Sequence, residues 1–249
     1  GLSAGHGARQ VSVTYTWVGW NRHKKVYDGV VLSAVAVYLG VCVGIGLAAD
    51  EPASVETLLM RAFGTGAMVL LHIVLWIGPA ARLSPALLPL LYNRRHLGVM
   101  TFGVGLIHGV LALLRYHGFG NVNPLLSLLA GNTNYGSLGG FPFEVLGLGG
   151  LLVLFLMAAT SHDFWLKNLS PMVWKWLHML VYAAYAMLVM HVVLGFLQSE
   201  RSPVLAGLVS AGAVVTVCLH LLAGRREVRR DGAVAGPDAD GFVDVCGVD

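Results

Sequence analysis

Between Tyr27 and Ala223 the chain is a succession of long apolar runs separated by short polar breaks. A helix needs about 20 apolar residues to cross the hydrocarbon core of a bilayer. Six runs bounded by charge, proline or glycine approach that length, at 27–49, 58–78, 95–116, 143–160, 172–197 and 203–223. The fold expected is all-α, an integral-membrane six-helix bundle over 27–223. A segment at 1–26 precedes it, and 224–249 reads as a tail or linker of the kind that leads to a further domain. Within that tail GAVAGPDADG has linker composition, and Phe242 to Val248 alternate enough to start a strand. The stretch from His117 to Pro142 is long, rich in glycine and asparagine and almost uncharged. It reads as a connection folded over one face of the bundle.

Composition supports a chain in lipid. Of its 249 residues 56% are hydrophobic and 12% charged, where a soluble domain carries about 25% charged residues. A water-soluble globule is excluded on that ground. Of the 16 basic and 13 acidic residues, five precede Gly29, ten follow Ala223 and fourteen are spread over the 195 residues between. Arg22, Lys24, Lys25, Arg82, Arg94, Lys167, Arg225, Arg226, Arg229 and Arg230 all fall at one side of the alternating spans. Basic loops stay in the cytoplasm, so both termini are expected there and the 118–140 loop outside. The net charge of +3 is explained by this anchoring, and no nucleic-acid partner is expected. The first run is too long for the core of a signal peptide and reads as a retained membrane helix. Cys42, Cys218 and Cys246 offer neither CxxC spacing nor an even count, so no disulfide framework, zinc site or iron–sulfur site is built from them.

Ten histidines is a high count, and His72, His108, His178, His191 and His220 fall inside the spans. Polar groups are costly in lipid and need partners. For His220 a hydrogen bond to a neighbouring helix is sufficient. His178 and His191 are thirteen residues apart on the fifth span, about 20 Å along one helix, and so reach both halves of the bilayer. With no carboxylate between Lys175 and Glu200 to serve a proton relay, two stacked cofactors fit better, and neutral imidazole is an axial ligand for haem iron. The third span runs parallel to the fifth, and His96 and His108 on it are about 18 Å apart. His108 therefore pairs with His191 at the outer level. At the inner level His178 pairs with His96 or with His72 of the second span, and the spacing leaves those two open. Arg94 and Arg95 at the start of the third span act as topological anchors and as partners for haem propionates. Glycines at 64, 66, 103, 105, 109, 147, 149 and 150 allow close helix approach or room for a flat macrocycle.

Arg94, Arg95, His96, His108, His178 and His191 sit in two recognisable stretches, GPAARLSPALLPLLYNRRHLGVMTFGVGLIHGVLALLRY and LFLMAATSHDFWLKNLSPMVWKWLHMLVYAAYAMLVMHVVLG. With the RRxLG entry, the WKxLHxLVY segment and a histidine about thirteen residues after each, they resemble the ferric reductase-like transmembrane domain family. Within it the resemblance is to the bacterial haem-binding membrane subunits of methionine sulfoxide reductase systems. It implies a six-helix domain of the bacterial inner membrane that carries haem b, here two haems, and passes electrons across the bilayer. Such a domain is the electron-transfer subunit of an oxidoreductase rather than a complete enzyme. The resemblance carries ligand roles onto His108, His178 and His191; those of His72 and His96 rest on geometry alone. Related oxidases continue into flavin and nicotinamide domains, but no GxGxxG unit is present here. The electron donor is then another redox protein, of flavin or Rieske type, a quinone, or a further domain outside this sequence. A histidine-based metal or proton transporter and a purely structural membrane subunit are the competing classes. Paired half-helices and midplane carboxylates, which would mark a transporter, are not visible in the sequence.

Overall fold

The computed structural model describes residues 22–234 apart from 50, 52 and 199–202. The segment 1–21, the expected strand at 242–248, the acidic Asp50, the Glu200–Arg201 pair and Cys246 lie outside the described residues. Among the described residues every regular element is helical. In chain order they are α1 (Arg22–Leu47), α2 (Val55–Leu83), a single 3-10 turn (Pro85–Leu87), α3 (Leu88–Tyr92), α4 (Arg94–His117), α5 (Pro124–Ala130), α6 (Phe143–Ala159), α7 (Asp163–Asn168), α8 (Pro171–Gln198) and α9 (Pro203–Val234).

Five of these, α1, α2, α4, α8 and α9, are long and apolar enough to cross a membrane, and the chain is a multi-pass membrane protein. The remaining run expected to span, α6, is apolar but has 17 residues, a rise of about 26 Å. Its length is set by its ends: Pro142 stands at the N-cap, and the Thr160 and Ser161 hydroxyls donate back to the Leu156 and Met157 carbonyls, each at 2.6 Å. Such back-bonding competes with helix propagation. Elsewhere, caps fix the starts. The Ser54 hydroxyl accepts the Thr57 N–H at 3.4 Å to open α2, and the Ser170 hydroxyl accepts the Val173 N–H at 3.3 Å ahead of Pro171 in α8. α9 runs eleven residues past the apolar run, to Val234, because arginine and glutamate propagate a helix as well as leucine does once it leaves lipid.

The helices α2, α4, α6, α8 and α9 close a ring in which each touches the next and α9 returns to α2. α1 lies outside the ring against α2 and buries none of its residues. α2 is the most enclosed element, with 13 buried positions. Towards the end bearing Arg82 and Arg94, the arginine end, the ring interior is filled from its middle by Leu71 and Leu75 of α2, Leu154 of α6, Val181 and Ala184 of α8 and Val209 of α9, with Leu71 and Leu154 forming the floor of the open part. At the opposite end, which carries the 118–142 connection, the interior is open. That connection contains α5, capped by the Asn123 side chain accepting the Leu125 N–H at 3.0 Å. α5 packs on α4 and α6 and covers part of the opening.

Candidate cofactor site

The open part of the ring is a cavity of about 670 Å³ bounded by α2, α4, α5, α6, α8 and the start of α9. Its walls are mostly apolar, and its volume is that of a cofactor pocket. His108 of α4 and His191 of α8 face each other across it, with ring centroids 6.4 Å apart and planes at 74°.

Each imidazole is held by the same device. His108 Nδ1 lies 2.9 Å from the Met60 carbonyl of α2, and His191 Nδ1 lies 2.8 Å from the Phe143 carbonyl of α6. A carbonyl only accepts, so both Nδ1 atoms carry the proton and donate, which leaves Nε2 as the basic nitrogen of each ring. Four residues on from each carbonyl stands a glycine. A Cβ at Gly64 would lie 2.8 Å from His108 Nδ1, and one at Gly147 would lie 2.8 Å from the His191 ring. The missing side chains are the seats of the two rings. A backbone acceptor on Nδ1 that fixes tautomer and orientation is also what holds the ring of a metal-bound histidine in place. Two metal–nitrogen bonds of about 2.0 Å each, plus the offset of each nitrogen from its own ring centre, bring trans imidazoles to about the separation seen here. The residues present therefore fit a haem clamped edge-in between α4 and α8. Gly105 and Gly109 of α4 add to the cavity wall.

The other expected ligands are placed differently. His72 is buried against Gly212 of α9, with Nε2 3.1 Å from the Tyr185 hydroxyl and its ring beside Trp76. His178 stacks on Trp174 at 3.9 Å between centroids, donates Nδ1–H to the Trp174 carbonyl at 3.0 Å, and has Nε2 3.5 Å from the Ser161 hydroxyl. His96 turns towards α1, where its Nδ1 is 3.3 Å from Asp28 Oδ1. His178 is thus in ring or hydrogen-bond contact with neither His72 nor His96. Arg94 donates from Nε to the Val74 carbonyl at 3.0 Å, near the point where Pro79 deprives α2 of an N–H, and Arg95 reaches the Ser161 carbonyl at 3.4 Å. Both arginines tie the start of α4 to neighbouring backbone. His220 has the expected interhelical partner, the Tyr182 hydroxyl at 3.0 Å.

Some residues of the site carry no mark of their own in the sequence. The carbonyls of Met60 and Phe143 belong to the backbone, and a helix residue of any type supplies one. His117, which borders the cavity beneath α5, lies at the edge of the third apolar run. Gly64 and Gly147 were visible as glycines, but Gly66, Gly149 and Gly150 serve packing instead, against Tyr38, Met187 and Leu188.

A polytopic helical membrane protein with two imidazoles held across a mostly apolar cavity is the class defined by fold and site. The chain belongs to the family described as ferric reductase like transmembrane component, whose model matches residues 63–189, just over half of it. It is also similar to the protein-methionine-sulfoxide reductase heme-binding subunit MsrQ of Ralstonia nicotianae, with 29% identity over 131 residues, 53% of this chain and 55% of that protein. The chain thus matches about half the length of that curated relative. No solved structure matches it.

Proposed function

We propose that this chain is the haem-carrying membrane subunit of an electron-transfer system of the bacterial inner membrane, with both termini cytoplasmic and six crossings. The observation that carries the reading is the His108–His191 pair, 6.4 Å between centroids, each ring fixed through Nδ1 by the carbonyl of a neighbouring helix. Held there by His108 and His191, haem b would supply a one-electron Fe(III)/Fe(II) couple. The chain's own work is to hold Nε2 of each ring basic and aligned, to exclude water with α5 and the apolar cavity wall, and to insulate the couple from lipid. Two imidazoles alone leave a bare ion short of ligands, and among the described residues no cluster of three or more His, Cys, Asp or Glu side chains comes together. A macrocycle brings four nitrogens of its own, which favours haem over the transport of a bare ion.

The second rung is His178 with His72 at the arginine end. His72 is favoured over His96 because it lies within the ring and meets α8 through Tyr185, whereas His96 faces α1. Occupying that rung requires Tyr185 to release His72 and the cluster around Leu71, Leu75 and Ala184 to open. The packed cluster favours a second reading, in which one haem is bound and the aromatic side chains of Trp174, His178, His72 and Tyr185 line the inner half. A redox protein of flavin or Rieske type, or a quinol, serves as donor at the arginine end. The acceptor at the other face is another subunit, of protein-methionine-sulfoxide reductase type.

A reduced-minus-oxidised spectrum of the purified chain, with the haem-to-protein ratio from its pyridine haemochrome, tests this directly. Two low-spin haems b per chain are expected, released by acid-acetone because no CxxCH attachment motif is present. A ratio of one selects the single-haem reading, and folded protein with no Soret band refutes both.

A further inference from the structure

The two halves of the clamp repeat one pattern. On α2 the Met60 carbonyl holds His108 and Gly64 makes room for its ring, while on α6 the Phe143 carbonyl holds His191 and Gly147 makes the room. The residue after each carbonyl is charged and borders the cavity, Arg61 after Met60 and Glu144 after Phe143. The repeat therefore breaks in sign. Glu144 is partly buried, and among the described residues no hydrogen bond or ion pair engages its side chain, one to Arg61 included. Its place in the first turn of α6 suits the helix dipole, yet that place does not by itself bring a carboxylate to the cavity. Glu56 holds the equivalent place in α2 and stands off the wall. A carboxylate without a counter-ion on a mostly apolar wall acts at a distance on any charge inside. We propose that Glu144 lowers, and Arg61 raises, the reduction potential of the haem held by His108 and His191, an assignment that rests on the haem reading above. Between two neutral imidazoles the iron has one more positive charge when oxidised than after it takes up one electron. The Glu144 carboxylate stabilises the oxidised form and the Arg61 guanidinium the reduced form. The chain thus sets the couple from both sides, and Glu144 makes this haem the stronger reductant towards the acceptor.

The test is a potentiometric titration of the detergent-solubilised full chain loaded with haem b, followed in the visible spectrum at fixed pH and ionic strength. The component to follow is the one that H191A abolishes. A unit charge within about 10 Å, at an effective permittivity of about 20, changes an equilibrium about tenfold, which for a one-electron couple is about 59 mV. Glu144→Gln is expected to raise the midpoint by that order, and Arg61→Gln to lower it. Glu56→Gln removes a carboxylate from the same end of the bundle but off the wall, and should leave the midpoint unchanged. Opposite shifts with the low-spin spectrum intact support the proposal, because loosened packing has no reason to change sign with the charge removed. No shift in Glu144→Gln, a shift shared with Glu56→Gln, or shifts of one sign in both wall variants overturns it. Glu144→Ala is measured alongside with the same expectation, and loss of haem from both Glu144 variants would make this residue a structural support and overturn the proposal too. If wild type shows no low-spin haem at all, the haem reading falls and this assignment with it.

Discussion

His108 and His191 would be ordinary buried polar groups if their Nδ1 atoms met side chains that could either donate or accept. Because each meets a main-chain carbonyl instead, the proton is fixed on Nδ1 and the lone pair on Nε2. The glycine four residues beyond each carbonyl makes that contact sterically available, which turns two inconspicuous residues into determinants of the site. A methyl group at Gly147 would stand 2.8 Å from the His191 ring, whereas Gly103 has nothing within 4 Å of an added Cβ. Gly147→Ala is therefore expected to displace the ring at a cost of about 1–3 kcal/mol, lowering haem retention and raising the high-spin fraction. Gly103→Ala should leave both unchanged, and the visible spectra of the two variants at matched protein concentration check this. Equal spectra would show that the ring does not need its seat. The same contrast explains why the glycines could be read from the sequence only as a group: space beside a ring and space beside a helix call for the same residue.

At the scale of elements, the apolar runs located five long helices to within a few residues at most ends, because hydrophobic length is what a bilayer selects. They erred where length and helicity part company. α9 continues through Arg225, Arg226, Arg229 and Arg230, where the apolar signal stops but helix propensity does not. α5 and α7 arise inside connections, too short to register as runs but capped by Asn123 and His162. That the His108 and His191 rings come within 6.4 Å of each other, centroid to centroid, was legible because parallel helices share a depth scale. That His96 turns to Asp28 of α1 was not, since depth says nothing about which side of a helix a residue occupies. The element most in need of a direct test is α6, which is shorter than the other apolar helices. If it crosses, residue 136 on one flank and residue 167 on the other lie on opposite sides of the membrane. With Cys42, Cys218 and Cys246 changed to serine, a cysteine at Gly136 should react with an impermeant maleimide from outside intact cells, and one at Lys167 only after permeabilisation. Labelling of both from one side would make α6 re-entrant.

For the molecule as a whole, the ring of five helices divides into a packed half and an open half, with α1 as an outer stave. The packed half, centred on Leu71, Leu75 and Ala184, gives the bundle its rigidity. The open half gives it a cavity whose walls come from helices distant in sequence, α2 and α4 holding one imidazole, α6 and α8 the other. A two-sided clamp of this kind has a signature that a single-sided one lacks: both ligands are needed for low-spin iron, and either alone leaves it five-coordinate or empty. Low-temperature electron paramagnetic resonance of the oxidised full chain, compared with H108A and H191A, reads that signature most directly. Wild type should show low-spin ferric haem from bis-histidine ligation, and each variant should lose the same component, converting it to a high-spin signal or abolishing it. Retention of every low-spin component in both variants would contradict a haem held between His108 and His191.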